Sequence, residues 1–200
     1  MVVYEGNCRL AWPETWLNVD TDEEPQLPGY VFKHNPRGNC YDDSEPAFAA
    51  LKQQQRGGVG VYCSENIDVQ VSIPERCNLE CLYFEIPHAN LTAAVLYRPS
   101  SYKIDMFREQ LLQVIFELEK HPGRKLIMGD FNEDIFVSST ILKLLEQHGY
   151  NQHVQAATTE KDNTGQRPSL HLAATPLFLG KGQDLQGHSV WWSCHQYQGI

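Results

Sequence analysis

The sequence predicts an α/β domain with a helix-covered sheet, and three observations predict it. Apolar runs of strand length recur between positions 57 and 97 at about ten-residue intervals, as consecutive antiparallel strands do. A run with three- and four-residue periodicity follows. Beyond it lie a short apolar run and a second helical stretch, and strands followed by helix–strand–helix make a mixed, covered sheet. The 200 residues, 42% hydrophobic and 20% charged, supply one domain of ordinary size with a sizeable core.

Taken in order, Cys8 to Trp12 is a strand candidate. Pro13-Glu14-Thr15-Trp16-Leu17 is a turn or a helix start, because proline suits a first turn and a glutamate there faces the positive end of the dipole. An acidic loop, Asp20 to Glu24, precedes a strand at Gly29 to Lys33. Gly58-Val59-Gly60-Val61-Tyr62 combines β-branched and aromatic residues with glycines that permit close backbone approach. Val69 to Ser72 alternates with period two, Cys81 to Ile86 is a strand, and a turn at Pro87 to Asn90 leads into Leu91 to Tyr97. Ile104, Phe107, Leu111, Val114, Ile115 and Leu118 mark one face of a helix, which His121-Pro122-Gly123 stops. Lys125 to Met128 is a strand, and Ser138 to His148 a helix closed by Gly149. Periodicity fades after Asn163, so 1–163 is expected to be the domain and 164–200 an irregular tail.

Lys and Arg number 16 against 25 Asp and Glu, a formal charge of −9. That disfavours holding nucleic acid by bulk positive charge, but permits a cation between carboxylates and a phosphate. Arg37, Arg56 and Arg98 are expected to line one face. No apolar stretch approaches the roughly 18 residues of a membrane span, and the start lacks the basic region of a signal peptide. An intracellular, unsecreted, monomeric protein is therefore expected. Cys77 and Cys81 form the one close cysteine pair, with no second pair at finger spacing, so two free thiols are expected rather than zinc.

Gly129-Asp130-Phe131-Asn132 is the sharpest local signal. Asp130 and Asn132 stand at the end of a buried strand, on the rim where open α/β sheets bind ligands. An aspartate there can ligate magnesium or accept a proton from water, and an asparagine can orient a phosphate without adding charge. The alternative is a turn that uses Asp and Asn for their backbone preferences. A calcium loop fails, with Ile135 where glycine is needed and Ile141 where glutamate is needed. Glu14 and Tyr97-Arg98-Pro99 are further candidates, since a phenol and a guanidinium can bind phosphate.

Together and in this order, Pro13-Glu14-Thr15-Trp16-Leu17, Gly57-Gly58-Val59-Gly60-Val61, Tyr97-Arg98-Pro99 and Gly129-Asp130-Phe131-Asn132 resemble the motifs of the endonuclease/exonuclease/phosphatase superfamily. The similarity is greatest to the endonuclease domains of LINE-type retrotransposons. The resemblance implies a deoxyribonuclease-I-like α/β sandwich of two sheets. It implies that Glu14 holds a divalent metal, magnesium with manganese as the alternative, and that Tyr97 contacts the scissile phosphate. Asp130 would position or activate the attacking water, and Asn132, with Arg98, would lie beside the phosphate. The implied activity is phosphodiester hydrolysis on DNA. A phosphoinositide or nucleotide phosphatase, and an inactive retrotransposon-derived remnant or binding module, are the alternatives.

The family's closing Asp and Ser-Asp-His motifs have no counterpart here. His171, His188 and His195 stand in other company, and Asn7 is an uncertain stand-in for an N-terminal asparagine. The sandwich is therefore expected to be incomplete at both ends, with weakened activity, an unpaired sheet edge and a reading-frame change near Asn163.

Overall fold

The computed structural model describes residues 2–4, 8–17, 24–54, 57–74, 77–133, 139–153, 177–179 and 190–192. Its strands are β1 (Val2–Tyr4), β2 (Cys8–Pro13), β3 (Tyr30–Asn35), β4 (Val59–Ser64), β5 (Gln70–Ser72), β6 (Glu80–Ile86), β7 (Leu91–Tyr97), β8 (Arg124–Asp130), β9 (Asn151–Gln152), β10 (Leu177–Leu179) and β11 (Val190–Trp192). Its helices are α1 (Arg37–Cys40), α2 (Pro46–Lys52), α3 (Ile104–Glu119) and α4 (Thr140–Gln147). The strands form two sheets, ordered β11-β1-β2-β4-β3 and β5-β6-β7-β8-β10-β9. The expected α/β two-sheet sandwich is the architecture found.

Strand alternation divides the core into two layers. Leu82 and Phe84 of β6, Ala93, Val95 and Tyr97 of β7, and Leu126 and Met128 of β8 pack with Ala11, Val59 and Val61 of the first sheet. The opposite face of the second sheet presents Cys81, Ala94, Leu96 and Ile127 to Phe107, Leu111 and Ile115 of α3 and Ile141 and Leu145 of α4. The α3 stripe is the one the sequence spacing predicts from Phe107 to Leu118, and Ile104 at its start is partly buried. At α4 the Ser139 hydroxyl caps Leu142 N–H at 2.8 Å. Glu133 closes the same end by accepting from Thr140 N–H (2.7 Å) and Ile141 N–H (3.1 Å).

Three details differ from expectation. The run at 59–64 does not continue into the strands that follow it but lies in the other sheet, between β2 and β3. Spacing reveals strands without revealing which sheet takes them. The single-turn α1 and two-turn α2 carry too few residues to show a period. The stretch expected to be an irregular tail contributes β10, which pairs with β8 and β9, and β11, which pairs with β1. β8 thereby has strand partners on both sides, β7 and β10. Three-residue strands leave no readable alternation in the sequence. Asn7, Arg56, His171, His188 and His195 lie outside the described residues.

β7 and β8 run parallel, with Leu96 beside Gly129 and Tyr97 beside Asp130. A Cβ added at Gly129, where φ is 156°, would stand 1.9 Å from the Leu96 carbonyl oxygen. The approach of the two strand ends therefore requires glycine. Gly129→Ala is expected to destabilise the fold by about 3 kcal/mol, read as a lower urea midpoint at unchanged slope. An unchanged midpoint would contradict this packing.

Candidate functional site

The parallel register fixes the site before any side chain is considered. Tyr97 and Asp130 end neighbouring strands, and both belong to the alternating set that faces the first sheet. They stand where the inter-sheet core meets the rim, at the carboxyl ends of parallel strands. Asp130 is only 5% exposed.

Glu14 arrives from the other sheet. β2 ends at Pro13 opposite Val59, and the chain then turns sharply, with φ of 63° at Glu14 and 60° at Trp16. Positive φ is costly for such residues and persists only where neighbours enforce it. Here Thr15 N–H donates to Gly58 O (3.1 Å) and Trp16 N–H to Gly57 O (2.8 Å). Gly58 has φ of 83°, and a Cβ there would meet the Thr15 hydroxyl at 2.8 Å. The Pro-Glu-Thr-Trp segment is thus a strained turn; the helix-start alternative is not realised. It delivers Glu14 to Tyr97, whose hydroxyl donates to Glu14 Oε1 at 2.9 Å.

Three motifs distant in sequence therefore meet at one rim. Burial pushes the Asp130 carboxyl up to about 7, with the Glu14 charge adding to the rise and Arg98 and the Asn132 N–H opposing it. Burial, then the Glu14 charge, likewise raises the Tyr97 phenol, which stays a proton donor. Asn132, at φ of 46°, donates its N–H to Asp130 Oδ1 and its side-chain amide to Arg98 O, both at 2.8 Å. The turn chemistry and the site role of this segment are one arrangement.

Arg98 directs three of its five N–H donors to backbone carbonyls. Its guanidinium donates to Phe131 O (2.6 Å), Tyr102 O (2.6 Å) and Asn132 O (2.7 Å), tying the loop after β8 to the loop after β7. Arg37 does not line an open face. It is buried, with Nε 2.8 Å from Glu80 Oε1 and its guanidinium 5.8 Å from the Tyr97 ring centre. Arg98 sits beside the site as a brace, and Arg37 lies behind Tyr97.

Sequence reasoning missed Glu80. Its carboxylate is fully buried and accepts from Arg37, from Tyr41 OH at 2.9 Å and from Gly58 N–H. Burial pushes its carboxyl up, and Arg37 opposes this. The only available signal was a glutamate leading an apolar strand, which by itself says nothing of partners.

Two hard carboxylates at one rim, each raising the Tyr97 phenol, fit a hydrated magnesium ion, which commonly takes one or two protein carboxylates and keeps its waters. Among the described residues no group of three or more His, Cys, Asp or Glu could hold a metal, so an all-protein cage is not built there. Cys77 and Cys81, which the sequence leaves as thiols, belong to no such group.

No protein-family model matches the chain, and no curated protein does. Among solved structures it is similar to the human Nocturnin catalytic domain with bound sulfate anion, at 14% identity and a TM-score of 0.49, over 86% of this chain and 68% of that one. The architecture assigned here rests on the sheet order and register.

Two predictions follow from the buried charges. Arg37→Ala is expected to cost about 3–5 kcal/mol, since it strands a buried carboxylate, against about 1 kcal/mol for Tyr41→Phe. Urea unfolding ranks them, and equal losses would contradict the buried pair. Asp130 has a native value of about 7 against an ordinary 3.8. Its contribution to stability is thus full below the ordinary value and lost as pH rises to the native one. In EDTA, Asp130→Asn is expected to gain on the parent chain by about 2 kcal/mol between pH 5 and 7.5. A pH-independent difference would contradict the placement.

Proposed function

We propose that the chain is a magnesium-dependent phosphodiester hydrolase of the endonuclease/exonuclease/phosphatase type, acting on DNA. The observation that carries this reading is the convergence of Glu14 from one sheet with Tyr97 and Asp130 from the other at a single rim. Three of the four motifs that resemble those of LINE-type endonucleases supply the side chains at this rim: Glu14, Tyr97, and Asp130 with Asn132. The half-exposed Trp16, 50% accessible two residues beyond Glu14, favours a substrate carrying bases, because an aromatic face stacks on any of them.

Glu14, with Asp130 beside it, would hold the magnesium, which when bound neutralises charge developing on the phosphoryl oxygens. Asp130 accepts a proton from the attacking water and is held for that task by the Asn132 N–H. Tyr97 OH fixes the Glu14 carboxylate through its hydrogen bond. Arg98 keeps the two loops in register through the three carbonyls it binds. Preorganisation of this kind, rather than a reactive nucleophile on the protein, is what phosphoryl transfer asks of an enzyme.

Nicking of supercoiled plasmid tests the reading. Purified, folded protein is expected to nick in magnesium and not in EDTA, and Asp130→Ala is expected to slow nicking by about 10²-fold or more. No nicking above the Asp130→Ala background, from protein shown to be folded, would overturn it in favour of an inactive remnant.

A further inference from the structure

Four cysteines lie among the residues whose side chains are described, and they are not equivalent. Cys40, Cys63 and Cys81 are buried, while Cys77 is partly exposed. Cys77 opens the turn that leads into β6, and its sulfur lies 3.6 Å from that of Cys81. A disulfide needs about 2.05 Å, so closing the bond brings the two sulfurs about 1.5 Å nearer. The Cys77 thiol can donate to Leu79 O at 2.9 Å, and with that bond made its sulfur is free to accept from Cys81 S–H.

The backbone of the turn is held from outside. Asn78 N–H donates to Cys40 O (2.8 Å), Asp42 N–H to Asn78 Oδ1 (2.8 Å) and Tyr102 OH to Asn78 O (2.7 Å). Both thiols are thereby kept facing one another. Tyr102 in turn gives its carbonyl to Arg98, and Cys81 gives its own to the Asn35 amide. The pair is therefore wired to the loops that build the rim, although neither sulfur belongs to the site.

We propose that Cys77 and Cys81 form a redox pair that a hydroperoxide closes to a disulfide, Cys77 reacting first and Cys81 resolving. In the first step the Cys77 sulfur attacks a peroxide oxygen and the O–O bond breaks. Cys77 becomes a sulfenic acid, and with hydrogen peroxide the other product is water. In the second step the Cys81 sulfur displaces the sulfenic oxygen, the S–S bond forms and a second water leaves. Two thiols are oxidised by two electrons, which reduce one peroxide to two waters. The assignment of roles agrees with the thiol acidities. The hydrogen bond from Cys81, against the opposing effect of burial, holds the Cys77 thiol below its ordinary value. That same bond, followed by burial, pushes the Cys81 thiol up. Burial also pushes Cys40 up, which leaves it a poor competitor.

Peptide mapping of the full chain tests this independently of any nuclease activity. Trypsin cuts after Arg76 and next after Lys103, Arg98 being followed by Pro99, so both cysteines fall in one peptide. After hydrogen peroxide at a dose that leaves Cys40 and Cys63 reduced, followed by alkylation, that peptide is expected to be lighter by two hydrogens and to carry no alkyl group. Dithiothreitol is expected to restore two alkylatable thiols. Cys81→Ser is expected to stop at a Cys77 sulfenic acid that a cyclic 1,3-diketone traps, and Cys77→Ser to leave Cys81 reduced. The proposal is overturned if the peptide keeps both thiols until Cys40 and Cys63 oxidise as well. It is equally overturned if Cys40 proves to be the partner, or if Cys81 oxidises as readily without Cys77.

Discussion

The rim depends on one buried carboxylate. Glu80 accepts from Gly58 N–H, and the carbonyls of Gly57 and Gly58 receive Trp16 and Thr15, which hold the strained turn at Glu14. The same carboxylate anchors Arg37, which lies against the Tyr97 ring, and Tyr97 binds Glu14. Both routes to Glu14 therefore pass through Glu80. A buried ion is costly unless fully satisfied, and here three donors from two separate segments, Arg37 and Tyr41 around α1 and Gly58 before β4, satisfy it. The cost is offset in position: a glutamate with positive φ is held at the rim beside Tyr97.

The second constraint is the parallel pair β7–β8. Antiparallel hairpins would have placed a turn where Tyr97 and Asp130 now end side by side. The parallel crossover through α3 leaves two strand ends open at one edge, with Gly129 allowing the backbones to approach. Arg98 then replaces the missing turn, binding three carbonyls from the loops on either side. The arginine expected beside a phosphate is thus a brace between the two loops.

Most of the framework was legible in the sequence because it rests on local pattern. Leu91–Tyr97 emerges with the bounds expected, and the α3 stripe follows its spacing from Phe107 to Leu118, with Ile104 partly buried at its start. Glu14, Tyr97, Asp130 and Asn132 were legible as motifs. Their meeting at one rim was implied by resemblance and is established by register. What stayed hidden is non-local. Nothing in Arg37 or Glu80 announces a partner 43 residues away, and a glycine-rich run does not disclose which sheet it joins. The strands β10 and β11 are too short to alternate visibly, and they gain their place from β8 and β1 rather than from propensity.

The central claim is that Glu14 and Asp130, carried by different sheets, serve a single divalent cation. Electron paramagnetic resonance of manganese titrated into the folded chain tests it directly, without requiring turnover. The account predicts one bound ion per chain, with affinity reduced about tenfold or more in both Glu14→Gln and Asp130→Asn. Binding that both variants leave unchanged, or no bound manganese at all, would contradict it.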